Sequence, residues 1–320
     1  MYETFFLKKT QSPHTDGDSF LFCIFAVCMK AFYYIVAGHG FSVLAADGVE
    51  LSGPLAHYAP FAVPADDASC GRPVFSLKVV PTLERPEGLT EEFNQDDDGS
   101  QIRLSRTVDG ASWFEFSLWG QLSSSMLAAA DFKTATLSLS SHSDFGLNNA
   151  LMVMYAMSTA RLGTALFHAA VIGNAGNGYL FLGKSGTGKS THARLWLKYI
   201  AGSELVNDDN PVVRVLPDGS ARVYGSPWSG KTPCYRNMDL PLGGFVQLAQ
   251  APYNAIRPLR GIAAYAALVP SISGKRWDRA MADGLHETEN ALASTVPVWH
   301  LDCLPDEAAA RLCAETIRKA

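Results

Sequence analysis

At 320 residues and 48% hydrophobic, the chain is long enough to bury a sizeable core and to divide into two domains. A formal net charge of -5 gives no broad basic field. That excludes nucleic acid and an anionic membrane as main partners, so any phosphate binding has to be local. The six cysteines, Cys23, Cys28, Cys70, Cys234, Cys303 and Cys313, form no C-x-x-C pair, and His300 near Cys303 is too little for a metal site. The expectation is a reduced, cytoplasmic chain with neither a zinc site nor a disulfide framework.

Ser19 to Gly38 is almost wholly apolar apart from Lys30. As a signal peptide it is poor, because Asp16 and Asp18 stand where positive charge belongs; as a membrane span it is just long enough but interrupted by the lysine. The preferred reading takes Met29 as the start, with residues 1–28 an upstream extension and MKAFYYIVAG opening the first strand; a start at Met1 is the alternative. From there to about Phe145, FEFSLWG and TATLSLS alternate, and Asp98-Gly99 and Asp109-Gly110 predict hairpin turns. Residues 29–145 are therefore expected to form a β-rich N-terminal domain. NQDDDGS lacks the ligand spacing and closing glutamate of a calcium loop and reads as a solvated turn.

At SDFGLNNALMVMYAMSTARLG the period changes to that of a helix, with Ser143 or Asp144 as N-cap and Gly163 as stop. Its DFG has neither an HRD nor a strand lysine with a glycine-rich loop before it, so the likeness to protein kinases is chance. Beyond Gly163 the order is strand (ALFHAAVI), strand (GYLFLG), helix (Thr187 to about Ile200), strand (ELVND), then a hairpin turning at Asp218-Gly219. GFVQLAQ, helical stretches around Ile262 and Met281, the strand VPVWHLDC and a closing helix from Pro305 follow. This alternation predicts an α/β lobe with a mixed sheet over residues 146–320.

The motif that carries chemistry is GKSGTGKS, Gly183 to Ser190, which meets G-x-x-x-x-G-K-[ST] in full between an apolar strand and a helix. Gly183, Gly186 and Gly188 let backbone N–H groups close around phosphate oxygens, and Lys184, Ser185, Thr187 and Thr191 complete the cradle of a P-loop. Lys189 is placed to meet the β and γ phosphates of ATP, and Ser190 to ligate Mg²⁺. The bland alternative is a glycine-rich turn with no ligand. LVNDDN follows one helix later, so Asp208 and Asp209 end the next strand. Two such carboxylates can divide labour, Asp208 taking a proton from a hydroxyl and Asp209 joining Ser190 on the metal, with the roles exchangeable. A solvated turn before Pro211 is the plain alternative.

His168 on the strand before the P-loop, the P-loop itself and the apolar-x-Asp-Asp run resemble the HPr kinase/phosphorylase group, which shares a nucleotide-binding core with phosphoenolpyruvate carboxykinases. The resemblance covers mainly Leu162 to Tyr224. It implies a C-terminal P-loop kinase lobe of that α/β type plus a smaller β-rich N-terminal domain. It also implies that Asp208 and Asp209 flank Mg²⁺ and the acceptor hydroxyl, with His168 beside them holding an aspartate charged and oriented. Without it, a lone histidine in an apolar strand reads as a satisfied core residue. Where the family carries an E-I-R-G-x-G signature this chain has GSPWSGKTP, Gly225 to Pro233, so the phosphorylase reaction, the HPr substrate and a hexamer stay open. In that loop Lys231 is expected either to neutralise the transferring phosphoryl group or to be a solvated loop charge.

Together these residues predict an ATP-dependent kinase that moves the γ-phosphoryl group of Mg-ATP to a hydroxyl of a protein serine, a peptide or a small molecule. No nucleic acid or membrane partner is expected, and self-association stays open. The alternative is a P-loop NTPase, or a nucleotide-sensing regulatory protein without phosphotransfer.

Overall fold

The computed structural model describes residues 29–65, 72–230 and 232–318; the readings made on residues 1–28 and on Lys231 lie outside them. Two compact units divide the chain. The described residues of 29–33, 41–55 and 64–150 belong to the first, and those of 34–40, 56–63 and 151–318 to the second. Among the described residues no helix is long and apolar enough to cross a membrane.

The N-terminal strands are β1 (Lys30–Val36), β2 (His39–Ala45), β3 (Ala62–Val63), β4 (Phe75–Val80), β5 (Thr90–Asp97), β6 (Ser100–Arg106), β7 (Ser112–Leu118), β8 (Gln121–Ala128) and β9 (Thr134–Leu139). They form a nine-stranded sheet in the order β3-β1-β2-β4-β9-β8-β7-β6-β5. The hairpins form where Asp-Gly predicts them, because Asp98 and Gly99 both take the positive φ, 52° and 79°, that matches the strand twist. Alternation buries Phe75, Leu77 and Val79 on β4 and Phe114 and Phe116 on β7. The outermost strand, β5, exposes Glu91, Asp96 and Asp97. Helix α1 (Ser143–Thr159) follows at the predicted change of period.

The second unit contains β10 (Thr164–Leu166), β11 (Ala169–Asn174), β12 (Asn177–Leu182), α2 (Lys189–Tyr199), β13 (Glu204–Asp209), β14 (Val212–Val215), β15 (Ala221–Tyr224) and β16 (Asp239–Gln250). β17 (Ala255–Leu259), α3 (Ile262–Leu268), α4 (Arg279–Thr295), β18 (Val298–Cys303) and α5 (Glu307–Ile317) complete it. The strand order is β10-β14-β15-β16-β12-β11-β13, with β18 also on β16 and β17 on β18.

This architecture corrects the expected fold class. In place of an α/β kinase lobe with a smaller β domain, the described residues are mostly β, with eighteen strands in two nine-stranded sheets. Apolar periodicity identifies strands but not how they connect. In the C-terminal half most pairings are antiparallel, as with β11 on β12 and β14 on β15, and only β12 with β16 and β16 with β18 run parallel. The stretch ALFHAAVI is two strands, β10 on β14 and β11 between β12 and β13, broken at Phe167 and His168.

Helices α2 and α5 pack together over β11, β12, β16 and β18, in a core that includes Ile172, Phe181, Trp196, Leu248, Leu301 and Cys313. Helix α2 fits this position because His192, Ala193 and Trp196 fall on one face, with the Trp196 indole donating to His192 Nε2 at 3.1 Å. It begins at Lys189 rather than Thr187 because Gly188, at φ 110°, cannot continue a helix.

Candidate functional site

Three neighbouring strand ends build the site. Ala169 at the start of β11 is opposite Leu182, the last residue of β12, and on its other side opposite Asp209, the last residue of β13. The glycine loop after β12, His168 just before β11, and Asp209 therefore emerge at one edge of the sheet. With strands about 4.8 Å apart, the outer two ends are separated by about 10 Å.

The loop of residues 183–188 closes on itself. Thr187 N–H donates to Lys184 O at 3.1 Å, and Lys189 Nζ donates to Gly183 O at 3.0 Å and Lys184 O at 3.3 Å. A side chain at Gly183 would come within 3.0 Å of Thr187, whereas Gly186 and Gly188 face open space at φ 77° and 110°. All three take a positive φ, 152° at Gly183, and the first also meets a close approach. Helix α2 has no side-chain cap at Gly188, so its first N–H groups face the same open cradle. Lys184, Ser185 and Gly186 are exposed. Thr191 instead accepts from Arg194 on the helix surface at 3.4 Å.

On the acidic flank the two aspartates differ. Asp208 is buried, 4% exposed, while the Asp209 side chain keeps 35% of its surface open. Asp209 Oδ1 lies 3.8 Å from His168 Nε2, and Asp209 Oδ2 accepts from Asn210 Nδ2 at 2.7 Å. Burial raises the Asp209 carboxyl above the ordinary carboxylate range; His168 and Lys189 oppose this through their charge, neighbouring Asp208 reinforces it, and the Asn210 hydrogen bond lowers it. The structure thus gathers Asp209, His168, Lys189 and Asp208 into one electrostatic group.

A buried polar scaffold supports the acids. Asn207 Nδ2 donates to Ser226 Oγ at 3.1 Å and Trp228 O at 3.2 Å, while its Oδ1 accepts from Asn210 N–H at 2.9 Å. Ser226 Oγ in turn donates to Asn210 O at 2.6 Å. All three side chains, Asn207, Ser226 and Trp228, are fully buried, and the Trp228 indole donates to Tyr58 Oη at 2.9 Å. The loop that carries GSPWSGKTP is thereby pinned to β13: Gly230 N–H donates to Asp208 O at 2.7 Å.

The opposite flank was not legible as functional. A cleft of 540 Å³ is lined by Gly183 to Thr187, Gln247 to Gln250 and His300. Gln250 Nε2 donates to Gly186 O at 3.1 Å and Thr187 O at 3.4 Å. His300 is held between Gln247 Oε1 at 3.0 Å and Asp302 Oδ1 at 3.2 Å. A larger hollow of 1010 Å³, lined by Leu259, Tyr265, His286 and Trp299 among others, shares no residue with this cleft. It opens near Val298, which is level with Phe245 rather than with Gln250, so it lies toward the far end of the parallel strands from the glycine loop.

The donor set fits a phosphate ligand better than a bare ion. Among the described residues no three His, Cys, Asp or Glu side chains come together to hold a metal. Mg²⁺ commonly takes only one or two protein oxygens, with phosphate and water supplying the rest, so a hydroxyl and a carboxylate beside an open anion cradle suit Mg²⁺ bound with phosphate. No family model matches the chain, and no curated protein matches it in sequence.

Proposed function

We propose that the chain is an ATP-dependent phosphotransferase that moves the γ-phosphoryl group to a hydroxyl of a protein serine, a peptide or a small molecule, as a divergent relative of the HPr kinase/phosphorylase group. What supports this reading is the convergence of the open glycine cradle, Lys189 and the His168–Asp209 pair at neighbouring strand ends. Loop and helix N–H groups with Lys189 bind and neutralise phosphate oxygens. Ser190 Oγ would hold Mg²⁺ beside the phosphate oxygens, and the ion would supply charge neutralisation.

Asp209, the aspartate whose carboxylate is open, takes the proton of the acceptor hydroxyl. The new bond joins that oxygen to the γ-phosphorus, the bond to the β,γ-bridging oxygen breaks, and ADP leaves. Asn210 bonds one oxygen of Asp209, His168 stands 3.8 Å from the other, and Asp208 acts on it by its charge. The cysteine pattern supports a reducing cytoplasm as the setting of this activity.

The test offers γ-labelled ATP and fractionated lysate to wild type and to Lys189→Ala. Label in an organic or protein acceptor with wild type alone supports transfer. Label only in orthophosphate makes the chain an NTPase, and ATP binding without turnover makes it a nucleotide sensor.

A further inference from the structure

The glycine loop is anchored from outside by a side chain that belongs to another strand. Gln250 Nε2 reaches the carbonyls of Gly186 and Thr187, and Gln250 closes β16 opposite Cys303 of β18, so the anchor is set in the sheet. A trans peptide points its C=O and N–H in opposite directions. Drawing the Gly186 and Thr187 carbonyls toward Gln250 therefore turns the Thr187 and Gly188 N–H groups the other way, into the loop. There the Thr187 N–H meets Lys184 O, on the side where Lys189 Nζ also lies.

An unanchored loop with glycines at 183, 186 and 188 loses conformational entropy at each residue when an anion orders it. An anchor already in place reduces that cost, and the reduction appears as affinity. We propose that Gln250 is a positioning residue that presets the amide cradle for phosphate. This rests on the phosphate reading of the loop and adds a determinant outside the motif.

The effect belongs to the phosphate chain and not to the nucleoside, which decides the test. Mg²⁺-tripolyphosphate and Mg-ATP are titrated calorimetrically into the full chain as wild type, Gln250→Met and Gln250→Glu. Gln250→Met keeps the volume without the donor, and Gln250→Glu turns the donor into an acceptor.

The expected result is a roughly fivefold loss of affinity for both ligands in Gln250→Met, a larger loss in Gln250→Glu, and unchanged melting temperatures. Wild-type affinity in both Gln250 variants overturns the inference and leaves the phosphate reading standing. So does a loss confined to ATP, which would make Gln250 a nucleoside contact. A wild-type chain that binds neither ligand overturns the phosphate reading and this inference with it.

Discussion

His168 Nε2 stands 3.8 Å from Asp209 Oδ1 because the chain breaks between β10 and β11. The backbone at the break is committed elsewhere, Phe167 N–H to Pro211 O at 3.0 Å and His168 N–H to Ser271 O at 2.6 Å. The imidazole therefore projects from a strand end, 43% exposed, rather than sitting in an apolar core. If Asp209 accepts the hydroxyl proton, Asp209→Asn lowers kcat by about 10² to 10⁴ while leaving ATP affinity nearly unchanged. Single-turnover kinetics with a fixed acceptor checks this, and an unchanged kcat removes Asp209 from proton transfer.

Lys189 is 8% exposed and bonds two loop carbonyls while its charge acts on Asp209. Lys189→Met keeps most of the stem and loses the charge, so the loop's contacts with the rest of β12 and α2 survive. Turnover is expected to fall roughly 100-fold or more with a small change in melting temperature. Paired rate and melting measurements on the two proteins decide it, since a loss of turnover that only follows unfolding gives the lysine no role in phosphate chemistry.

Gly230 meets β13 so closely that an added Cβ would lie 2.8 Å from Asp208 O and 3.1 Å from Asp209 Cβ. Neither is the far end of a flexible side chain, so the strand end must shift. Gly230→Ala is expected to destabilise by about 1–3 kcal/mol and to reduce turnover beyond what the lost stability explains. Denaturant titration beside kinetics under fully folded conditions separates the two effects.

Stability should fall in acid. Burial pushes His39 and His192 down to about 4, with the charge of Arg214 adding to the effect on His39. Unfolded histidines titrate near 6.5, so below that pH the unfolded chain binds protons that the folded chain refuses until about 4. The contribution is complete above 6.5 and is lost as pH drops toward 4, at about 2 kcal/mol for each histidine by about pH 5. Urea midpoints followed from neutral pH into this window should decline, and His192→Gln should flatten the decline; midpoints independent of pH contradict it.

What the sequence revealed was local. The glycine and lysine spacing at 183–190, the Asp-Gly hairpins and the change of period at α1 depend on residues near one another in the chain, and the structure has them in place. The break inside ALFHAAVI left no mark, because both halves are equally apolar and only their partners differ. β17 was missed because Pro258 interrupts its pattern, which an edge strand tolerates. Among site residues the acids were legible, but Asn210, Gln250 and His300 were not, since an isolated amide or imidazole gains its meaning only from what the fold sets beside it. The same limit explains the error in fold class: a hairpin return and a helical crossover can join equally apolar strands.

The acidic rim of β5 has a consequence for how the molecule meets copies of itself. A strand with one open side can accept another strand through its backbone, and the first sheet ends on such a side. Two molecules approaching rim to rim would set Glu91, Asp96 and Asp97 of one against the same carboxylates of the other. Homotypic strand addition is thereby opposed by like charge, and high ionic strength, which shortens the reach of that repulsion, is the condition under which the safeguard weakens.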